Sequence, residues 1–217
     1  MTDFAKARRM MVDGQIRPSD VTDLDVVAAM GELPRERFVP PDLADVAYLD
    51  RDLPVDSQRA LLKPMVIARM VQALDLKAGD KVLDVAGGSG YTAAILARLA
   101  DRVVALEDDP VRSKRCAELT RELGATQVSA VNGPLDAGWP ALAPYDAIFI
   151  NGTCEVEPQT LLRQLANGGR LVCIFGSAPA TKAMVYRVDN GEIGYRPLFN
   201  AAAPLLPAFA KVPAFVF

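Results

Sequence analysis

The residues best placed to do chemistry in this chain are three carboxylates around a glycine turn. Asp84 lies inside an apolar run (Val82, Leu83, Val85) that leads into Gly87-Gly88-Ser89-Gly90. Glu107 and Asp108 close the next apolar run, Val103 to Leu106. Glycines let a backbone turn tightly and approach a ligand without a Cβ in the way. Amides at the start of the following helix then face that ligand. An acid at the tip of the next strand can accept two hydrogen bonds from ribose hydroxyls. The chain of 217 residues contains no histidine. Serine–histidine and cysteine–histidine triads, histidine-ligated zinc and histidine acid–base catalysis are therefore excluded. No residue stands out as a catalytic acid, base or nucleophile, and none as a metal ligand. Chemistry here must rest on carboxylates, on a cofactor or on positioning alone.

The elements that would hold these groups alternate. The first strand and glycine turn are followed by a helical pattern through Leu99, then by the strand ending at Glu107. Asp109-Pro110 suits the cap and first turn of a helix reaching about Leu123, with Gly124 as its stop. Short strands are expected at Gln127 to Val131, Tyr145 to Ile150 and Arg170 to Phe175, with a helix from Pro158 to Ala166. The near-continuous apolar runs suit a parallel sheet covered on both faces. Asn190-Gly191 between Ala183–Val188 and Ile193–Leu198 is a strong hairpin signal. Upstream, residues 4 to 50 look helical, 51 to 63 read as a loop, and Pro64 suits the first turn of a helix to about Leu74. The expected architecture is α/β: a mostly parallel sheet ending in an antiparallel hairpin, with an N-terminal helical extension. It forms a single domain over 1–217. Residues 1–76 are the helical region and loop, 77–199 the α/β core and 200–217 an apolar tail, expected to pack on the body through LLPAF and PAFVF.

A net charge of −3 and a pI near 5.1 leave no basic surplus for a phosphate backbone, which argues against nucleic acid. Lys6, Arg8 and Arg9 are expected to form a solvated helix face. No apolar run approaches membrane-spanning length. The N-terminus lacks a signal-peptide core, so a cytoplasmic location without membrane contact is expected. Cys116, Cys154 and Cys173 read as buried reduced thiols.

Two adenosine cofactors compete for the glycine turn. Gly88-Ser89-Gly90-Tyr91-Thr92-Ala93 satisfies the G-x-G-x-x-A pattern of dinucleotide binders. Asp84 and the closing hairpin favour S-adenosylmethionine instead. Its charged amino group can be held by a carboxylate near the turn through charge-assisted hydrogen bonds.

The N-terminal half adds a more specific signal. RRMMVDGQI, VVAAMGELPRERFVP and AYLDRDLP, all ahead of VLDVAGGSGY, resemble the protein-L-isoaspartate O-methyltransferase family. Met11-Val12 with Gln15-Ile16, Pro34-Arg35-Glu36, Phe38-Val39-Pro40, Tyr48, Asp50 and Leu53-Pro54 carry the resemblance, which spans about Ala7 to Gly176. It implies a Rossmann-like S-adenosylmethionine-dependent methyltransferase fold. It also implies methylation of isoaspartyl α-carboxylates in damaged proteins or peptides, with S-adenosylhomocysteine as product. Asp84, Ala86, Gly88, Ser89, Gly90, Glu107 and Asp108 would line the cofactor. Ala86 stands where the family has a glycine, which requires a negative φ. Whether the chain is a monomer or a dimer is left open.

The chain departs from the family in two places. Its loop reads DSQRALLKP over 56–64, where the family reads close to GHGQTISQP. Ser57 replaces the histidine, Arg59 the glutamine, and Ala60 and Leu62 two hydroxyl residues. Gly133-Pro134-Leu135 replaces a Gly-Asp-Gly whose acid contacts adenine. Three readings stay open. Arg59 or Lys63 grips the acceptor carboxylate and repair is retained; another acceptor is methylated; or the chain is a non-catalytic partner. By themselves Arg59 and Lys63 read as solvated loop charges.

Overall fold

The computed structural model describes residues 2–212; Pro213 to Phe217, and with them the expected packing of PAFVF, lie outside the described residues. The chain runs α1 (Phe4–Met11), α2 (Leu24–Glu32), β1 (Leu53–Pro54), β2 (Ala60–Leu61), α3 (Pro64–Ala73), β3 (Lys81–Val85), α4 (Tyr91–Leu96) and β4 (Arg102–Glu107). It continues α5 (Pro110–Glu122), β5 (Val128–Asn132), β6 (Tyr145–Cys154), α6 (Gln159–Leu162), β7 (Leu165–Phe175), β8 (Lys182–Asp189) and β9 (Glu192–Asn200).

Seven strands form one sheet in the order β5-β4-β3-β6-β7-β8-β9. The first five positions are parallel, β8 adds antiparallel to β7 and β9 antiparallel to β8. The Asn190-Gly191 turn has φ of 50° and 85°, the left-handed pair that a two-residue hairpin demands. One apolar core lies under α1–α5, the other beneath α6 and the tail. Among the described residues no helix is long and apolar enough to cross a membrane. All three cysteines are buried and free.

The N-terminal region is helical but irregular: α1 runs into a π-helical turn at Val12–Ile16 and a 3-10 turn at Arg17–Ser19. Two helices are shorter than their sequence patterns. The helix after the glycine turn ends at Leu96 rather than Leu99. Only Gln159–Leu162 of the expected 158–166 helix forms, because Leu165 already pairs with Tyr145 as β7 begins. The chain then passes through Asn167-Gly168-Gly169 within the strand. Sheet pairing outcompetes helix propensity there. Arg8 is also unlike a solvated charge. Its guanidinium donates to Tyr48 Oη at 3.0 Å and to the Glu32 carbonyl at 3.1 Å, while Lys6 and Arg9 are exposed.

Arg35 explains why the helical extension belongs to the site. It is fully buried, donates from Nε to the Ala47 carbonyl at 2.7 Å and from Nη2 to the Leu62 carbonyl at 2.6 Å. Its guanidinium lies 5.0 Å from the Tyr91 ring centroid. One side chain therefore fastens the loop end at Leu62 to the helix that follows the glycine turn. Arg35→Ala should destabilise the fold by about 2–4 kcal/mol, since it leaves two buried carbonyls unpaired and a cavity. Arg35→Lys should not restore it, because an ammonium lacks the planar fork. Denaturant melts of both variants check this.

Candidate functional site

The predicted carboxylates meet at the carboxyl ends of β3 and β4. There the strand order reverses around β3, and open α/β sheets form a crevice at such a point. Asp84 Oδ1 accepts from Asn151 Nδ2 at 2.7 Å, and Asn151 Oδ1 accepts from the Thr92 hydroxyl at 2.6 Å. Asp84 Oδ2 is buried and has no hydrogen-bond partner. Burial pushes this carboxyl up to about 7, against the Asn151 hydrogen bond, with the help of the Glu107 charge and against the weaker pull of the nearby Ala93 amide. A Cβ at Gly87 would come within 2.5 Å of Oδ2, so only glycine leaves room beside that oxygen.

Ala86 corrects an expectation. Its φ is +61°, not negative. The residue is buried and its N–H donates to the Leu106 carbonyl at 3.0 Å. The turn thus forces an alanine into the region glycine prefers, at a cost of about 1–2 kcal/mol. Only the local geometry, not the residue type, reveals this strain.

The neighbouring turn residues divide their roles. Gly88 (φ +62°) points its N–H at Glu107 Oε1, 2.6 Å away. Ser89 donates its hydroxyl to the Phe38 carbonyl, so its side chain anchors the turn to the N-terminal region rather than facing the crevice. At Gly90 (φ +92°) a Cβ would strike Cys116 Sγ at 2.6 Å. Its missing side chain serves close packing against α5.

Glu107 is buried and its two oxygens hold three donors. Oε1 takes the Gly88 N–H; Oε2 takes Arg59 Nε and Arg112 Nε, each at 3.2 Å. Burial pushes its carboxyl up, and Arg59, the Gly88 amide and Arg112 oppose that. Asp108 Oδ1 bridges Arg59 Nη2 at 2.6 Å and Arg112 Nη2 at 2.7 Å. Partial burial would raise Asp108, but the two guanidinium groups hold it below the usual carboxylate range. Arg59 is therefore not a solvated loop charge: its side chain is 1% exposed. Lys63 is half-buried, and its backbone N–H donates to Asp52.

Arg59, Arg112 and Asn151 are the site residues that sequence reasoning missed as members of this cluster. Asn151 had a legible signal, a polar residue at the end of an apolar strand. The Arg59 contact with Glu107 crosses 48 positions and left no trace in local pattern, whereas Arg112 reaches Asp108 at the local i,i+4 spacing.

Two cavities flank the cluster. One of about 310 Å³ includes Gly88, Ser89, Val55 and Arg112 in its lining. The other, about 440 Å³, runs between the loop (Pro54, Ser57, Ala60) and the tail (Pro204, Leu205, Pro207). The tail is held there by a Thr153–Leu205 bridge and by buried Leu206 and Phe209, so LLPAF packs on the body as expected. Pro134 is exposed, and Leu135 is buried in the second core. The donor set suits a ligand with an ammonium and a ribose: an unpaired buried carboxylate oxygen, a tight glycine turn and an acid at the strand tip. The fit has one condition, since the arginines already occupy that acid.

The sequence profile of the protein-L-isoaspartate(D-aspartate) O-methyltransferase family matches residues 7–201. The protein-L-isoaspartate O-methyltransferase of Methanoculleus marisnigri is 41% identical over 205 residues, covering 94% of this chain and 93% of that protein. Protein-L-isoaspartate O-methyltransferase 2 of Anaeromyxobacter sp. (strain Fw109-5) is 43% identical over 165 residues, 76% of this chain and 68% of that one. A Plasmodium falciparum structure, assigned to the same activity and solved in complex with S-adenosyl-L-homocysteine, superposes with a TM-score of 0.80 at 18% identity. It covers 96% of this chain and 100% of its own, and shares the fold.

Two outcomes follow from the turn. Ala86→Gly should raise stability by about 0.5–1 kcal/mol, as relief of the left-handed strain exceeds the entropy of the added glycine. An ordinary alanine-to-glycine change lowers it, and thermal melts decide. Asp84 binds its proton more tightly folded than unfolded. Its stabilising contribution is full below the ordinary value of 3.8 and is lost as pH rises towards about 7. Asp84→Asn should therefore gain on the wild type across that window, by at most about 1.4 kcal/mol per pH unit. Unfolding curves at several pH values test this.

Proposed function

Since this chain belongs to the protein-L-isoaspartate O-methyltransferase family, we propose that it is an S-adenosylmethionine-dependent carboxyl O-methyltransferase acting on isoaspartyl residues of proteins or peptides. The observation that carries this reading is the unpaired Asp84 oxygen beside an intact glycine turn and Glu107, at the sheet's switch point.

In this reading Asp84 receives the cofactor's ammonium. A cation there would draw the Asp84 carboxyl from its near-neutral value into the ionised form. The backbone at Ala86, Gly88, Ser89 and Gly90 shapes the turn around the cofactor, and Glu107 with Asp108 accepts the ribose hydroxyls. When bound, S-adenosylmethionine supplies an electrophilic methyl group. The acceptor carboxylate is its own nucleophile, so the chain needs no general base, which agrees with the absence of histidine. What the chain contributes is alignment. The groove between loop and tail, open beside Ala60 and Ser57, offers the acceptor peptide a seat. The loop no longer carries the hydroxyls expected of the family, so orientation there falls to the backbone and to Ser57 and Gln58. The close relatives' names favour the isoaspartyl acceptor over another acceptor or a non-catalytic role. Buried free thiols support a cytoplasmic location.

The test is methyl transfer from labelled S-adenosylmethionine to an isoaspartyl peptide and its aspartyl twin. Transfer to the isoaspartyl peptide alone is expected. Equal labelling of both, or none above the enzyme-free baseline, sinks the reading.

A further inference from the structure

The loop that departs from its family also covers the turn. A Cβ built on Gly88 would lie 3.6 Å from Arg59 Cβ and 3.8 Å from the Val55 methyls. The glycine's open face is thus occupied by the chain itself. Arg59 is engaged there through all three of its nitrogens: Nε donates to Glu107, Nη2 to Asp108 and Nη1 to the Gln58 carbonyl at 3.1 Å. Glu107 already holds three donors, from Gly88, Arg59 and Arg112, and its side chain is only 3% exposed beneath Arg59. Ribose hydroxyls can reach the carboxylate only if the side chain that covers it moves aside.

Resting on the cofactor reading above, we infer that Arg59 competes with the cofactor's ribose for Glu107, and that loop 55–60 must open before the cofactor can seat. Arg59 is then the residue that sets cofactor affinity. The rest of the cluster allows this exchange. The ladder beneath the loop is only two residue pairs, Leu53 with Leu61 and Pro54 with Ala60. Asp56, Ser57 and Gln58 are exposed. The loop's turn is closed by Asp56 Oδ1, which accepts from Gln58 and Arg59 N–H, and by Arg59's carbonyl, which accepts from Val55 N–H at 2.8 Å. Arg112 sits on α5, outside the loop, and stays to neutralise Glu107 when Arg59 withdraws. Its one tie to the loop is Nη1 to Asp56 Oδ2 at 3.0 Å.

A purely structural ion pair makes the opposite forecast. Removing one partner of such a pair leaves a buried charge and disturbs the site around it. A competitor's removal instead frees the acceptor. Arg59→Met keeps the stem and deletes the donors. Titration calorimetry of the full chain with S-adenosylhomocysteine should show this variant binding about tenfold tighter than wild type, with Arg59→Lys in between. Equal or weaker binding by a folded Arg59→Met overturns the inference while leaving the cofactor reading intact. Binding by neither chain overturns both. Wild-type hydrogen exchange serves if the variant does not fold. S-adenosylhomocysteine should speed exchange of the Val55, Gln58 and Arg59 amides, and unchanged or slower exchange counts against the latch.

Discussion

One buried carboxylate organises the functional end of this protein. Glu107 caps β4 and draws together four segments: its own strand, the glycine turn through Gly88, the loop through Arg59 and α5 through Arg112. A buried charge left unpaired is costly, so Glu107 keeps at least one cationic partner beside it. The turn places Ala86 and Gly88 both in the left-handed region, a strain only for the alanine, with the Gly88 amide aimed at Glu107. The loop folds inward rather than into solvent because Arg59 finds two carboxylates there.

A second set of contacts frames the first from outside. Arg35, from the PRE motif, grips the Ala47 and Leu62 carbonyls and stacks on Tyr91. Ser89 ties the turn to the Phe38 carbonyl. The N-terminal helical region is therefore a scaffold for the site. Its motifs persist in this chain although the loop they support has changed, since they serve position rather than contact with a ligand.

The same geometry reconciles a histidine-free chain with group transfer. Esterifying a carboxylate asks for a held donor and an aligned acceptor, not for proton abstraction. The buried pair adds a physical requirement: the arginine that neutralises Glu107 must give way to hydroxyl donors. The loop is built lightly enough for that, with two ladder pairs and exposed tips.

Much of this was legible in the chain itself. Apolar runs, glycine turns and the Asn-Gly pair yield the parallel sheet and its closing hairpin, because strand and turn propensities act over a few residues. Asp84 and Glu107 could be named because they sit at strand ends beside glycines. The N-terminal motifs identified the family. What sequence did not contain was pairing across space. Whether Arg59 met water or a carboxylate depended on where β4 ended relative to a loop 48 positions away. The sign of φ at Ala86 depended on how the turn packs between β3, where its N–H pairs with Leu106, and the Gly88 amide aimed at Glu107. The fate of residues 163–169 depended on a neighbouring strand offering partners. Local propensity settled the elements; tertiary structure decided the charges and the strain, because Coulomb pairing and burial are properties of neighbours in space, not in sequence.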